Sequence, residues 1–152
     1  MQRHWSSLFA LPLVAPLLSG CVPFPHLHYR APAVAGVITE HGKPAAGASV
    51  RVSGQFSAEV SAAVSDQEGR FVTKPIREVL LTASLLGDPM YGYTVSIIMG
   101  GKEYVGYSDA YVGYAPKEIQ LVCDLGKPLD RGGIKVHCTA QGDGSAPAPV
   151  AA

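Results

Sequence analysis

From residue 33 onward the chain consists of short apolar runs, several with two-residue alternation, each cut off by glycine or proline before it reaches helical length. Residues 48–53 put Val50 and Val52 on one face and Ser49, Arg51 and Ser53 on the other, the period of a half-buried strand. Residues 93–99 and 102–107 flank Gly100-Gly101, the clearest hairpin signal in the chain, because both central residues of the tightest hairpin turn need positive φ. Residues 34–39, 59–65, 70–73, 119–123 and 134–138 read as further strands. Residues 79–86, rich in Leu and Ala, suit a helix or a strand, and their shortness before Gly87-Asp88-Pro89 favours the strand. Asp66-Gln67-Glu68-Gly69 has Asp first and Gly last, as type I turns prefer. The expected fold is all-β, a sandwich or barrel of about seven to nine short strands.

The first 21 residues carry a different pattern. Arg3 and His4 make a short basic start, residues 8–18 are apolar but interrupted by Pro12 and Pro16, and Leu18-Ser19-Gly20-Cys21 closes the segment. The apolar stretch is too short and too proline-broken for a spanning helix. Its ending resembles the lipobox of bacterial lipoproteins. The resemblance implies thioether diacylation of Cys21, cleavage before it, and acylation of the new amino terminus. Each buried methylene adds about 0.8 kcal/mol, so two or more chains hold a protein on a membrane where one is marginal. Val22, where Asp would mark inner-membrane retention, implies by the same resemblance an outer-membrane protein facing the periplasm. An ordinary secretory signal whose cleavage site happens to contain Cys is the alternative.

Four regions are expected: a cleaved signal peptide over 1–20, the lipidated Cys21 with a proline-rich tether to 32, a β-sandwich over 33–141, and a disordered Gly/Ser/Pro/Ala tail over 142–152. The mature chain is long enough to cover roughly two thirds of its unfolded surface on folding. Twelve Lys and Arg balance 12 Asp and Glu, and no basic run or nucleic-acid-reading motif is present, which argues against a nucleic-acid partner.

Within residues 33–74, Val34-Ala35-Gly36-Val37-Ile38 is followed by Gly42-Lys43-Pro44-Ala45-Ala46-Gly47-Ala48-Ser49-Val50 and then by Asp66-Gln67-Glu68-Gly69-Arg70-Phe71. This resembles the carboxypeptidase-regulatory-like, or transthyretin-like, β-sandwich domain, with its Gly-x-Pro-x-x-Gly-Ala-x-Val segment and its Thr/Ser-Asp-x-x-Gly-x-Phe turn. The likeness covers about a third of the mature chain. It implies a single Greek-key sandwich without catalytic residues, serving as a stability module, adhesive spacer or binding platform. Gly47 is expected at a tight approach or a positive φ, and Phe71 in the core.

Four groups of residues are candidates for chemistry. Cys123 and Cys138, each near the end of a predicted strand, are expected to form a disulfide in an oxidising periplasm; two buried thiols or an intermolecular bridge are the alternatives. A loop of that length contributes roughly 3 kcal/mol by chain entropy. His26 and His28 offer two imidazoles on one side of an extended chain, weak candidates for a zinc or copper site that would need further ligands. Tyr91, Tyr93, Tyr104, Tyr107, Tyr111 and Tyr114 crowd one stretch with Gly92, Gly106 and Gly113. Several of these rings are expected to line one exposed face for a protein or glycan partner, or simply to cover a sheet and its turns. No Gly-x-Ser-x-Gly, His-Glu-x-x-His or phosphate-cradling glycine loop occurs, and no catalytic residues or cofactors are expected. The expectation is a non-enzymatic envelope lipoprotein that binds a protein partner or supports an envelope assembly. A metal-binding lipoprotein and an accessory subunit of a secretion or adhesion machine are the alternatives.

Overall fold

A computed structural model describes residues 26–80 and 90–141. The expected signal peptide, Cys21, the first part of the tether, residues 81–86 of the 79–86 run and the tail after Gln141 lie outside the described residues.

The fold is all-β, and two sheets share one core. In the first sheet, β2 (Ala33–Glu40) runs parallel to β10 (Glu118–Asp124), which pairs antiparallel with β13 (Cys138–Gln141). On its other edge β2 pairs with β3 (Lys43–Pro44) and β6 (Arg70–Val72). The second sheet runs β5 (Val60–Val64), β4 (Ser49–Gly54), β8 (Met90–Met99), β9 (Lys102–Val112), all antiparallel. The chain changes sheet between β3 and β4, between β5 and β6, between β6 and β8, and between β9 and β10. Val34, Ile38, Phe71, Ile119, Leu121 and Cys123 from the first sheet meet Val50, Val52, Val95 and Ile97 from the second, all buried. Burying a side chain of this size stabilises by about 1.5–3 kcal/mol. The alternation of β4 and β10 assigns these residues to the inner face, as their sequence period requires.

The 93–107 hairpin forms with Gly100 and Gly101 at φ 58° and 78°. Its register slips between Val95 and Ser96, leaving Gly106 as the extra residue of a bulge in β9. The two glycine-bearing motifs of residues 42–71 turn out to be clasped by Ser65. Its buried hydroxyl donates to the Ala45 carbonyl at 2.6 Å and accepts from the Ala48 N–H at 2.9 Å, while Gly47, at φ 77°, donates its N–H to the Ser65 carbonyl. In the next turn the Asp66 carboxylate accepts the N–H groups of Arg70 and Glu68, and these donors, Arg70 foremost, hold the carboxyl below the ordinary carboxylate range. Gly69, at φ 75°, cannot be replaced without a collision, since a Cβ there would run into the Ile38 carbonyl oxygen.

Three expectations need correction. Thirteen strands occur among the described residues, more than seven to nine, because several are only two or three residues long. The tether does not extend to residue 32: β1 (His26–Ala31) pairs antiparallel with β7 (Ile76–Leu80). Its prolines fall outside the paired segment, so every N–H from 26 to 31 remains able to join a ladder. The strand was hard to read because its polarity is inverted, with His28 at 1% exposure inside and Leu27 at 49% outside. Finally, the 134–138 run is two strands. β12 (Ile134–Val136) pairs with β11 (Leu129–Arg131) around Gly132-Gly133, and the chain turns a corner at His137 before β13 begins.

Ser65→Ala leaves the Ala48 N–H buried without its acceptor. A loss of about 1–3 kcal/mol is expected, read as a lower urea midpoint at unchanged slope. An unchanged midpoint would contradict the clasp.

Candidate functional site

The ends of β8 and β9 farthest from their turn build the candidate site. Residues two apart on a strand share a face, so Tyr91 and Tyr93 point the same way from β8, and their register partners Tyr111 and Asp109, with Tyr107 further along β9, complete that face. It is the inner face, not an exposed one. Tyr91, Tyr93 and Tyr107 are 8%, 3% and 7% exposed, which corrects the expectation that the rings lie together on the surface. Tyrosine is suited to a place where the core runs out, because its ring can pack while its hydroxyl stays near polar groups. The rings follow one another: Tyr111 lies 6.0 Å from Tyr91, Tyr91 6.2 Å from Tyr93, and Tyr93 6.2 Å from Tyr107.

Beyond this series the two sheets part and leave an open groove of about 440 Å³. Tyr91, Tyr107, Asp109, Tyr111, Tyr114 and Pro116 line one side. The β11–β12 hairpin and β13 supply the other, through Leu129, Asp130, Arg131, Val136, Thr139 and Ala140. The Arg131 guanidinium lies 4.8 Å from the centre of the Tyr107 ring. Burial opposes its charge, but a hydrogen bond with the Tyr107 hydroxyl and the acidic groups of Tyr107, Asp109 and Tyr111 outweigh that and raise its pKa. Tyr93 sits beneath the groove, and burial, reinforced by Tyr107, Asp109 and Tyr91, pushes its hydroxyl pKa far above the ordinary value.

Tyr114 is exposed at the rim, with the His28 ring 5.2 Å away. Tyr104 is elsewhere: half-buried near the Gly100-Gly101 turn, it meets His137 edge-on at 5.0 Å and carries Lys102 over its face. Cys123 and Cys138 face each other across β10 and β13, their Cα atoms 4.0 Å apart, and are bonded through their sulfurs. Cys138 also borders the groove. His28 is enclosed in β1, while the side chain of His26 lies outside the described residues. Among the described residues no group of three or more His, Cys, Asp or Glu side chains gathers as a metal would require.

A family model matches residues 34–128, well over half of the chain. The chain belongs to that family, the Domain of unknown function (DUF6795). No curated protein and no solved structure matches. The tyrosine side of the groove falls inside the DUF6795 span, whereas the hairpin carrying Arg131 and the strand carrying Cys138 follow it.

Asp109, Leu129, Asp130, Arg131 and Thr139 were not singled out from sequence. One signal was available, the Gly132-Gly133 pair between two short runs, the same kind of punctuation as Gly100-Gly101. Nothing in the spacing says that this hairpin stands opposite the tyrosines.

The raised Tyr93 pKa gives a signed pH dependence. Below about pH 10 the hydroxyl is neutral in both the folded and unfolded chain, and its contribution is intact. Above that pH the unfolded chain loses the proton while the folded chain keeps it, so stability falls as pH rises. Ultraviolet titration of the folded protein is expected to leave Tyr93 protonated until alkaline unfolding; ionisation of every tyrosine before unfolding would refute this.

Proposed function

We propose that this DUF6795 protein is a lipid-anchored component of the cell envelope, held on the outer membrane through Cys21 and facing the periplasm. There its sandwich binds a protein partner, or steadies an envelope assembly, through the tyrosine-walled groove, without catalysis. The observation that carries the binding reading is the groove itself. Tyr111 and Tyr114 present their rings there at 37% and 61% exposure, beside a half-buried arginine and two carboxylates. Aromatic rings and arginine held by a rigid frame are the groups that dominate binding energy at interfaces. Most of the lining lies on strands and hairpins, with Tyr114 and Pro116 on the β9–β10 connection, so the ordering needed when a partner arrives is confined to a short segment.

The anchoring reading rests on Leu18-Ser19-Gly20-Cys21 at the end of an apolar leader. The bonded Cys123 and Cys138 suit an oxidising compartment outside the cytoplasm. Among the described residues no helix is long and apolar enough to cross a membrane. The likeness of residues 33–74 to the carboxypeptidase-regulatory-like sandwiches, which serve as stability modules, adhesive spacers or binding platforms, is in keeping with this reading.

Both parts are testable. Cys21→Ser is expected to move the protein from the membrane fraction to the soluble periplasm, and mass analysis of the wild-type amino terminus to show acylated Cys21. An unacylated chain that retains its leader would refute the anchor. Tyr111→Ala with Tyr114→Ala removes two partly exposed rings and should cost about 1–3 kcal/mol through their contacts with Tyr91 and His28, leaving the domain folded. Recovery of the cross-linked envelope partner should fall about tenfold or more. Unchanged recovery with this pair would refute the groove.

A further inference from the structure

The groove lies where the described chain ends. β13 runs antiparallel to β10, so Gln141 stands opposite Gln120, towards the start of β10 and the Tyr114–Pro116 approach to it. Thr139 and Ala140, just before that end, already border the groove. Residues 142–152 therefore depart from the rim of the groove. They read Gly-Asp-Gly-Ser-Ala-Pro-Ala-Pro-Val-Ala-Ala, with Asp143 the single charged side chain.

We propose that residues 142–152 of this chain occupy the tyrosine groove in cis, and that a partner must displace them. The inference rests on the reading of the groove as a binding site. Gly142 and Gly144 permit a reversal, and four residues can reach about 14 Å. Residues 146–150, alternating Ala and Pro before Val150, favour the polyproline II conformation, which at about 3.1 Å per residue extends about 15 Å. Proline-rich segments in that conformation dock into aromatic-lined grooves because they are already extended and lose little freedom on binding. Here Tyr111 and Tyr114 supply rings on one side and Leu129 an apolar wall on the other.

Charge supports the same occupant. Arg131 is engaged with the ring and hydroxyl of Tyr107 and has Asp109 nearby, so the groove contains its own counter-charges. Residues 144–152 carry no charged side chain and can enter without breaking them, whereas a strongly charged ligand would have to compete. Because the segment is tethered, its effective concentration reaches the millimolar range, enough for a weak contact to remain occupied.

The test compares the full chain carrying Cys21→Ser with the same chain ended after Gln141, which keeps every described strand. Amide resonances of Tyr111, Tyr114 and Leu129, far in sequence from the cut, are expected to differ between the two at every protein concentration. A synthetic peptide of residues 142–152 added to the shortened chain should return them towards their full-length positions. A peptide with Pro147→Gly and Pro149→Gly should act at least tenfold more weakly. Identical groove resonances in the two chains would overturn the proposal. Differences that vanish on dilution would overturn it in favour of tail exchange between copies. Shortening the chain should also raise recovery of the cross-linked partner. If recovery needs Tyr111 and Tyr114 but the groove resonances ignore the tail, this inference falls and the groove remains a binding site. If the tail shifts the resonances while recovery ignores the tyrosines, the binding reading fails instead.

Discussion

The candidate site depends on a corner at His137. Its N–H lies 3.0 Å from the Val105 carbonyl and 3.1 Å from that of Gly106, both at the bulge in β9, so the edge strand of one sheet is tied to the point where β12 ends and β13 begins. Gly106 is needed for the approach. A Cβ there would stand 3.1 Å from the Cys138 sulfur and 3.0 Å from the Val95 carbonyl oxygen, tighter than side-chain contacts normally allow. Immediately after the corner, Cys138 is bonded to Cys123, which fixes β13 against β10. Glycine, bulge, corner and disulfide together hold the Arg131 hairpin opposite the tyrosines.

That arrangement explains why the tyrosines are neither ordinary core nor ordinary surface. Nearer the turn, the inner face of β8 carries Val95 and Ile97 at full burial, packed against the other sheet. Farther along the same face the positions become Tyr93 and Tyr91, where the opposing sheet gives way to the groove. An aliphatic residue would end its apolar surface against polar groups there, whereas tyrosine continues the packing and finishes in a hydroxyl. The electrostatics follow from the same placement. Tyr93 is deep enough for burial to suppress its ionisation, and Arg131, nearer solvent, keeps its charge through the Tyr107 hydroxyl and its acidic neighbours.

Legibility in the sequence varied with how far each constraint reaches along the chain. The 100–101 hairpin, the alternation of residues 48–53 and the Asp66–Gly69 turn are set by residues a few positions apart, and each was readable. β1 was not, because a histidine faces inward and a leucine outward, which reverses the pattern that marks a strand. The 134–138 run read as continuous because nothing local to it records that two carbonyls on β9 capture the His137 N–H. Tyrosines 91 to 114 were conspicuous as a group, yet their division among stack, groove rim and the distant Tyr104 depended on register.

By itself, the sequence determined the all-β class, the principal hairpin and the glycines that turns require, since these rest on local conformational preference and short-range chemistry. The tertiary structure alone decided that β2 lies parallel to β10, that Tyr91, Tyr93 and Tyr107 face inward, and that Leu129 and Arg131 join them in lining one groove. Those relations join residues far apart in the chain. They are selected by shared burial and by pairing of backbone groups across the whole fold, which no short stretch of sequence encodes.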